Sequence, residues 1–241
     1  MKVYIYGKHP IVEALTHAPQ VVEKVFVDQE HQPDIDALAK KQQVFRQPFD
    51  DKKLEKKLGE HAVHQRIAAI IDVERLSVDL HTFLGSLDPH KKHAVVLLGE
   101  IQDPQNVGSI IRSAAAFGIS GVLIPKDRQA QLTGSVIKAS VGTAFKIPLV
   151  AVGNVNQTVQ TLKDKRFWVY GLDGESEHNI RDEAFEENTV FIVGNEGKGL
   201  REKTLEHCDH VLRIPITETA ESLNAGTSAA VAFYEWRTKQ P

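Results

Sequence analysis

The feature that most constrains the fold is the alternation of short apolar runs with helix-forming segments from His93 onward. The predicted strands are residues 94–98, 121–124, 148–152, 167–172, 190–193 and 211–214. Strands and helices that alternate in this way form a mostly parallel sheet with helices on both faces. Ligands of such sheets bind beyond the carboxyl ends of the strands. The sequence therefore predicts an α/β fold with its binding site in the loops that follow these strands.

The first 74 residues show a smaller version of the same alternation. Predicted strands are residues 3–6, 24–28, 44–46 and 67–73, and predicted helices are residues 9–17, 34–41 and 50–58. Residues 75–92 carry turn formers and charges without sustained periodicity, which is typical of a linker. We predict a small α/β module over residues 1–74, a linker over 75–92 and a larger domain over 93–241.

Charge and cysteine usage limit the classes of partner. Residues 1–92 carry 14 basic and 14 acidic side chains, and the rest of the chain carries 15 and 18. Neither part is a polycation, so any RNA contact must depend on local patches and shape. The single cysteine, Cys208, excludes an intrachain disulfide and favours a reducing compartment. No apolar run approaches the roughly 20 residues that cross a bilayer, and a secretory signal pattern is missing. We expect a cytoplasmic protein with no membrane contact.

The first of three polar loops spans residues 100–118 and leads into a helix with a small-residue face. Asp103 and Pro104 interrupt the preceding strand, and Asn106 is a residue type that often caps a helix. Arg112 follows nearly two turns later. A capped helix with a solvated surface arginine is the alternative to a functional site.

The second loop, residues 191–200, runs from an apolar strand into three glycines around Glu196. Glycines after a strand accept positive φ and let backbone amides approach a ligand. The spacing fits neither a dinucleotide fingerprint nor a phosphate-binding P-loop. A plain glycine-rich turn is the alternative.

The third loop, residues 214–232, brings Ser222 and Asn224 to the start of a helix rich in small residues. Backbone amides at a helix start can bind a ligand. An N-capped helix without further function is again the alternative.

Taken in order, the three loops resemble the SpoU/TrmH-type RNA 2′-O-ribose methyltransferases of the SPOUT superfamily. The shared pattern is Asp-Pro-x-Asn-x-Gly-x-x-x-Arg, then Gly-x-Glu-x-x-Gly, then Ile-Pro-Ile followed by Ser-Leu-Asn. Residues 6–15 and 62–68 resemble the small RNA-binding domain of rRNA guanosine methyltransferases in that family. The resemblance thus covers both predicted units.

This resemblance implies a C-terminal domain with a deep trefoil knot, S-adenosylmethionine as cofactor, RNA as substrate and a homodimer. A guanosine of 23S rRNA is favoured over tRNA because of the N-terminal module. A tRNA 2′-O-methyltransferase and a catalytically silent RNA-binding or ribosome-assembly factor stay open as alternatives. A nucleotide-binding oxidoreductase is disfavoured because the dinucleotide fingerprint is missing.

The family pattern also assigns roles to single residues. The positions that match its cofactor-binding residues are Gly194, Ile214 and Leu223. The positions that match its catalytic residues are Arg112, Asn106, Glu196, Ser222 and Asn224. An arginine is always protonated, so we expect Arg112 to hold an RNA phosphate in preference to acting as a base.

The N-terminal module supplies the predicted RNA contacts, His64 and Arg66, although Arg66 stands where the family usually has glycine. Ala225-Gly226 likewise replaces a β-branched residue and serine.

Two further expectations concern metal binding and assembly. The run His207-Cys208-Asp209-His210 has metal-capable types, but consecutive residues cannot readily all face one ion, so we predict no metal site. In the last predicted helix, Phe233, Tyr234 and Trp236 would offer apolar surface for dimer contact.

Overall fold

The computed structural model describes residues 1–59 (Glu55 by its backbone alone), 62–195 and 197–240. The chain forms an N-terminal four-stranded sheet and a C-terminal seven-stranded sheet, each packed against helices. The predicted α/β class is confirmed. None of the helices in the described ranges combines the length and the apolar character that crossing a bilayer requires.

The N-terminal sheet is mixed. Its strands are β1 (Lys2–Tyr6), β2 (Val22–Val27), β3 (Phe45–Pro48) and β4 (Ile67–Asp72). They lie in the order β1-β4-β2-β3; β4 is antiparallel to both of its neighbours, and β3 is parallel to β2. Alternate residues of each strand face opposite sides of the sheet.

Three helices flank this sheet: α1 (Lys8–His17), α2 (Pro33–Lys41) and α3 (Asp51–Leu58). α2 begins at a proline, carries two acids in its first turn and ends in two lysines, as the helix dipole favours. Side chains of α1 and α2, such as Ile11, Leu15 and Ile35, are buried with one face of the sheet. Leu54 of α3 is buried against the other face.

The segment predicted as a linker, residues 75–92, is largely regular. It contains β5 (Ser77–Asp79) and α4 (Leu80–Ser86), which is capped by the Asp79 carboxylate and buries Phe83. β5 pairs with β8 (Leu149–Val152), so it belongs to the C-terminal sheet. A three-residue strand is too short for sequence periodicity to reveal it.

The C-terminal sheet is parallel throughout its described strands. Besides β5 and β8 it contains β6 (Ala94–Gly99), β7 (Gly121–Pro125), β9 (Phe167–Leu172), β10 (Asn188–Gly194) and β11 (His210–Leu212). The spatial order is β11-β9-β10-β6-β7-β8-β5. The predicted strands are therefore confirmed with small shifts of their ends.

Helices cover both faces of this sheet, as predicted. They are α5 (Pro104–Phe117), α6 (Gly134–Ala139), α7 (Val155–Asp164), α8 (Glu202–Leu205) and α9 (Ala225–Thr238). One core joins α5, α6 and α9 to alternate residues such as Val96 and Phe191. A second core takes the intervening residues, such as Leu97 and Ile192, together with α4 and α7.

Two features of this arrangement bear on function. The strand order reverses beside β6, because β7 lies on one side of it and β10 on the other. Ligands of parallel sheets bind beyond the carboxyl ends of the strands, so the strand ends on both sides of this point are candidate binding positions. The N-terminal unit packs directly on α6, where a side chain at Gly134 would collide with the Tyr4 carbonyl oxygen.

Candidate functional site

A cavity of ≈ 610 Å³ opens at the carboxyl ends of β9, β10 and β11. The loops that follow these strands form its walls, and the lining combines glycines with polar and apolar residues. Gly194, Ile214 and Leu223, the predicted cofactor-binding residues, all line it, and so does Ser222. Residues from two separate sequence motifs thus meet at one cavity.

Gly194 is where the chain approaches itself most closely in this cavity wall. A Cβ atom there would lie 2.5 Å from the Gly199 carbonyl carbon and 2.6 Å from the Leu200 nitrogen. Asn195 and Gly199 exchange backbone hydrogen bonds of 3.0 and 2.9 Å, which closes a tight turn. Glu196 lies outside the described residues, so its catalytic role stays a prediction.

Two predicted catalytic residues, Asn106 and Asn224, are joined by a direct side-chain hydrogen bond. The Asn224 Nδ2 group donates to Asn106 Oδ1 at 2.7 Å, and Asn224 Oδ1 accepts from the Gly226 amide at 2.9 Å. Asn224 therefore caps α9 and ties its start to α5. Asn106 itself is buried at 5% exposure.

The prediction that Asn106 caps α5 is wrong. Asp103 is the cap, and its carboxylate accepts from the Gln105 amide at 2.8 Å. Pro104 occupies the first helical position, which suits a residue that has a fixed φ and no amide hydrogen. Asn106 is thereby moved into the first turn, where its side chain faces α9.

The packing of α9 on α5 gives a steric reason for the glycine at position 226. A side chain at this position would collide with the Ser109 hydroxyl of α5, so glycine at residue 226 favours the close approach of the two helices. This accounts for the departure from the family pattern at Ala225-Gly226. It also explains how a single hydrogen bond can join Asn106 to Asn224.

Arg112 stands apart from these contacts. It is exposed on α5, and within the described residues its guanidinium makes no hydrogen bond or ion pair. Helix geometry places its Cα about 9 Å along the axis from that of Asn106. The structure therefore brings together Asn106 and Asn224 but leaves the Arg112 side chain facing solvent.

A second cavity of ≈ 590 Å³ lies at the carboxyl ends of β6, β7 and β8. Its basic lining residues are Lys126, Arg128, Arg201 and Lys203. Glu100 accepts a 2.8 Å bond from Arg201 and lies 3.8 Å from Arg128. Basic residues that closely follow a predicted strand were the available sequence signal for this surface. The negative net charge of the whole chain obscured that signal.

The predicted RNA contacts of the N-terminal unit, His64 and Arg66, are both engaged internally. The His64 ring stacks on Phe49 with centroids 4.8 Å apart. Arg66 binds Asp28 at 2.6 Å and Asp51 at 3.0 Å. Hydrogen bonds from His31 and Arg66 hold the pKa of Asp28 well below its usual range. The charge of Arg66 is therefore largely offset by neighbouring carboxylates.

The two N-terminal segments that carry the family resemblance meet in the structure. The Gly7 amide donates to the Ile67 carbonyl oxygen at 3.3 Å, and the Lys8 amide donates to Gln65 Oε1 at 3.0 Å. The motif of residues 6–15 and that of residues 62–68 thus form one surface.

One face of the N-terminal sheet carries aromatic and cationic side chains that sequence reasoning did not single out. We call Tyr4, Tyr6, Lys24, Phe26 and Phe45 the aromatic face. Tyr4 and Phe26 stack with centroids 6.4 Å apart. Lys24 Nζ lies 5.7 Å from the Phe26 ring and 5.3 Å from the Phe45 ring. Phe45 is 58% exposed. The period-two spacing of these residues was the available signal.

The run from His207 to His210 does not converge on one point. Cys208 donates to the Thr204 carbonyl oxygen, and burial raises the pKa of its thiol to about 11. Asp209 binds Lys163 at 2.7 Å. His210 instead faces residues from another loop.

Comparison with known proteins agrees with these motifs. The model of the SpoU rRNA methylase family matches residues 93–234. The model described as RNA 2′-O ribose methyltransferase substrate binding matches residues 4–76.

Curated relatives match over nearly the whole chain. The 23S rRNA (guanosine-2′-O-)-methyltransferase RlmB of Escherichia coli (strain K12) is 33% identical over 246 residues, covering 98% of each chain. The same-named protein of Pseudomonas aeruginosa (strain PAO1) is 33% identical over 236 residues, covering 96% of this chain and 94% of that protein.

Among solved structures, the SpoU methyltransferase AviRb of Streptomyces viridochromogenes, in complex with the cofactor AdoMet, shares the fold. Its TM-score is 0.82 at 23% identity, with 99% of this chain and 90% of that chain covered. The family models and the relatives together confirm the resemblance of the three loops. The chain belongs to the SpoU rRNA methylase family.

Proposed function

We propose that the chain transfers a methyl group from S-adenosylmethionine to the ribose 2′-hydroxyl of a guanosine in 23S rRNA. The observation that carries this proposal is the meeting of Gly194, Ile214 and Leu223 at one cavity. Membership of the family and the names of the relatives, which are 23S rRNA guanosine 2′-O-methyltransferases, support the substrate.

The cavity suits S-adenosylmethionine in size and in kind of lining. Pockets of roughly 300 to 1,000 Å³ bind ligands of that size, and this one is ≈ 610 Å³. Gly194 keeps the wall free of a side chain, while Ile214 and Leu223 offer backbone groups and apolar contact. When bound, the cofactor supplies an electrophilic methyl group on a sulfonium. The protein then has to orient the reactants and exclude water.

Arg112 is the acceptor-side residue in this proposal. A guanidinium stays protonated and matches the geometry of a phosphate oxygen pair, so Arg112 holds the RNA backbone instead of taking the hydroxyl proton. Its exposure leaves it available for that contact. Asn106, Asn224, Ser222 and Glu196 hold the surrounding loops in register.

RNA selection falls to the N-terminal unit. Aromatic rings next to lysines bind unpaired bases by stacking and by charge. In the aromatic face Phe45 beside Lys24 is exposed for such a contact, whereas Tyr4, Tyr6 and Phe26 are partly buried. In this proposal the His64 ring contacts RNA from the loop before β4. Arg66 instead holds that loop in shape through its ion pairs with Asp28 and Asp51. Ribosomal RNA is favoured over tRNA on the strength of the relatives' names.

The family fold adds three further elements to the proposal. We propose that the chain around the cavity forms a deep trefoil knot. The meeting of the loops that follow β9, β10 and β11 at one cavity supports this. We also propose a homodimer that uses the outer side of α5 and α9. A cytoplasmic location follows from the rRNA substrate.

The surface available for such a dimer differs from the sequence prediction. Phe233 and Trp236 are buried in the core of the chain, so they offer no apolar surface. Tyr234 is 53% exposed and packs edge-on against Phe117 of α5. Sizing in dilute solution that gave only monomer would contradict the dimer.

The test is methyl transfer from labelled S-adenosylmethionine to total RNA of a strain that lacks the gene. We expect label in large-subunit rRNA. Label in tRNA would replace the proposed substrate by the alternative one. Failure to bind the donor in an equilibrium titration would replace the enzyme by a silent RNA-binding factor.

A further inference from the structure

A cluster of metal-capable side chains lies at the outer edge of the C-terminal sheet, next to β9 and β11. His178, Glu183 and His210 each offer one ligand atom, and these atoms all lie within 4.8 Å of one another. His178 and Glu183 belong to the segment after β9, and His210 is the first residue of β11. The three residues are half-buried.

Backbone contacts hold this segment in place. The Arg213 amide donates to the His178 carbonyl oxygen at 2.8 Å, and the Ile180 amide donates to the Arg213 carbonyl oxygen at 3.0 Å. The segment therefore runs alongside β11 as an ordered extension of the sheet. The His210 ring stacks on Trp168, with centroids 5.4 Å apart and planes at 19°. The ligand atoms are thus presented from fixed positions.

Glu183 is the most informative member of the cluster. Its side chain is only 14% exposed. Oε1 accepts bonds from the Tyr170 hydroxyl at 3.1 Å and the Phe185 amide at 3.4 Å. Oε2 has, within the described residues, only His178 Nε2 at 3.5 Å, which is too long for a good hydrogen bond.

The nearby Lys239 ammonium group is not the hydrogen-bond partner of the Glu183 carboxylate. Lys239 Nζ donates to the backbone carbonyl oxygens of residues 180, 181 and 183, at 3.3, 2.9 and 2.6 Å. One oxygen of Glu183 is therefore oriented by the protein, and the other faces the His178 imidazole.

We propose that His178, Glu183 and His210 bind a divalent transition metal, with Zn²⁺ as the preferred ion. Two imidazoles and one carboxylate form a common zinc ligand set that leaves a fourth position for water. Imidazole ligands favour Zn²⁺ over Mg²⁺, which prefers oxygen. Ligands of one zinc ion lie roughly 3.4 Å apart in a tetrahedron, so small side-chain rotations would complete the site.

This site departs from the sequence prediction of no metal. The sequence showed only the consecutive run from His207 to His210, of which His210 alone joins the cluster. The fold supplies the other two ligands from a different loop. The ion would fasten that loop to β11. Residues 173–175 of the same loop and Leu212 line the cofactor cavity, so the site would stabilise one wall of it.

The direct test is calorimetric titration of ZnCl₂ into the chelator-treated full chain. We expect one ion per chain. His178→Gln and His210→Gln should each weaken binding by at least about 100-fold. His207→Gln and Cys208→Ser are matched controls, because these residues lie in the same segment but outside the cluster, and both should bind as the wild type does. Equal affinity in the double variant His178→Gln/His210→Gln and the wild type would overturn the proposal.

Two further measurements distinguish a metal site from a simple ion pair between His178 and Glu183. Tyr170→Phe removes the hydroxyl that orients Glu183, and it should weaken zinc binding by about 10-fold. Zinc should raise the thermal midpoint of the wild type but not that of Glu183→Gln, whose fold is checked without metal. A wild type that binds zinc no better than Glu183→Gln contradicts the proposal. This last comparison also holds if a histidine variant fails to fold.

Discussion

The two sheets of this chain present their candidate binding groups in different ways. In the C-terminal sheet the binding groups lie in loops at the carboxyl ends of parallel strands, and these loops enclose a cavity. In the N-terminal sheet they lie on a strand face, where side chains of the aromatic face are presented by β1, β2 and β3. The first arrangement suits one small ligand, and the second suits an extended polymer.

This difference teaches where substitutions should act. In the C-terminal unit an added methyl group at Gly194 would collide with the backbone of residues 199 and 200, so it should displace the cavity wall. In the N-terminal unit a lost side chain removes one contact among several and leaves the rest. The predictions below test this contrast, from the largest expected effect on methyl transfer to the smallest.

Arg112→Ala should lower the rate of methyl transfer at saturating RNA and donor by on the order of 10²- to 10³-fold, because the cation that would hold the acceptor is lost. Its exposure predicts a change in unfolding free energy within about 0.5 kcal/mol. Arg112→Lys keeps the charge but loses the planar fork, and it should recover only part of the rate. Full turnover by the lysine variant, measured in the same assay, would rule out bidentate phosphate binding.

Gly194→Ala should weaken S-adenosylmethionine binding by about 100-fold and lower the unfolding free energy by roughly 1 to 3 kcal/mol, since the new Cβ meets backbone atoms. Gly174→Ala is the matched control. It lines the same cavity, and its Cβ would meet nothing within 4 Å. Donor titration of both variants checks this, and equal affinities would show that the wall is not closely packed.

Asn224→Ala should lower the unfolding free energy by roughly 1 to 2 kcal/mol and slow methyl transfer about 10-fold, because a helix cap and the bond to Asn106 are lost together. Asn154→Ala removes an equivalent cap, on α7, with bonds of 2.9 and 3.2 Å. It should cost about 1 kcal/mol and leave the rate unchanged. If both variants slowed the reaction equally, the Asn106–Asn224 bond would have only a structural role.

Lys24→Ala and Phe45→Ala should each raise the KM for RNA by about 5- to 10-fold without changing donor affinity, because one stacking or phosphate contact is lost. Val78→Ala, an exposed apolar position on β5 of the other sheet, is the control. Steady-state kinetics with rRNA fragments measures this. An unchanged KM in both aromatic-face variants would remove this surface from RNA binding.

The sequence predicted the C-terminal sheet well and the N-terminal surface less well, for a physical reason. Gly194 ends β10, and Ile214 and Leu223 lie in the loop after β11. The carboxyl ends of parallel strands meet at one edge of a sheet, so the strand pattern already brings these loops to the same edge. The aromatic face depends on which strand residues lie side by side, such as Lys24 beside Phe45. That register is set by long-range pairing.

Other details could not be predicted because they depend on packing. The sequence suggested Asn106 as the cap of α5, but the helix starts at Pro104 with Asp103 as its cap. Phe233 and Trp236 looked like surface aromatics, yet α9 turns both into the core. Arg66 looked free, whereas Asp28 and Asp51 bind it from segments distant in the sequence. For the aromatics and for Arg66 the deciding partner lies outside the local motif, whereas Asp103 and Pro104 belong to the same motif as Asn106.

The most direct test of the central claim is to identify the atom that is methylated. 23S rRNA from a strain that lacks the gene is incubated with the chain and S-adenosylmethionine, digested to nucleosides and analysed by mass spectrometry. We predict that 2′-O-methylguanosine forms with the wild type and falls to near background with Arg112→Ala. A methyl group on a base, or an equal yield from Arg112→Ala, would contradict it.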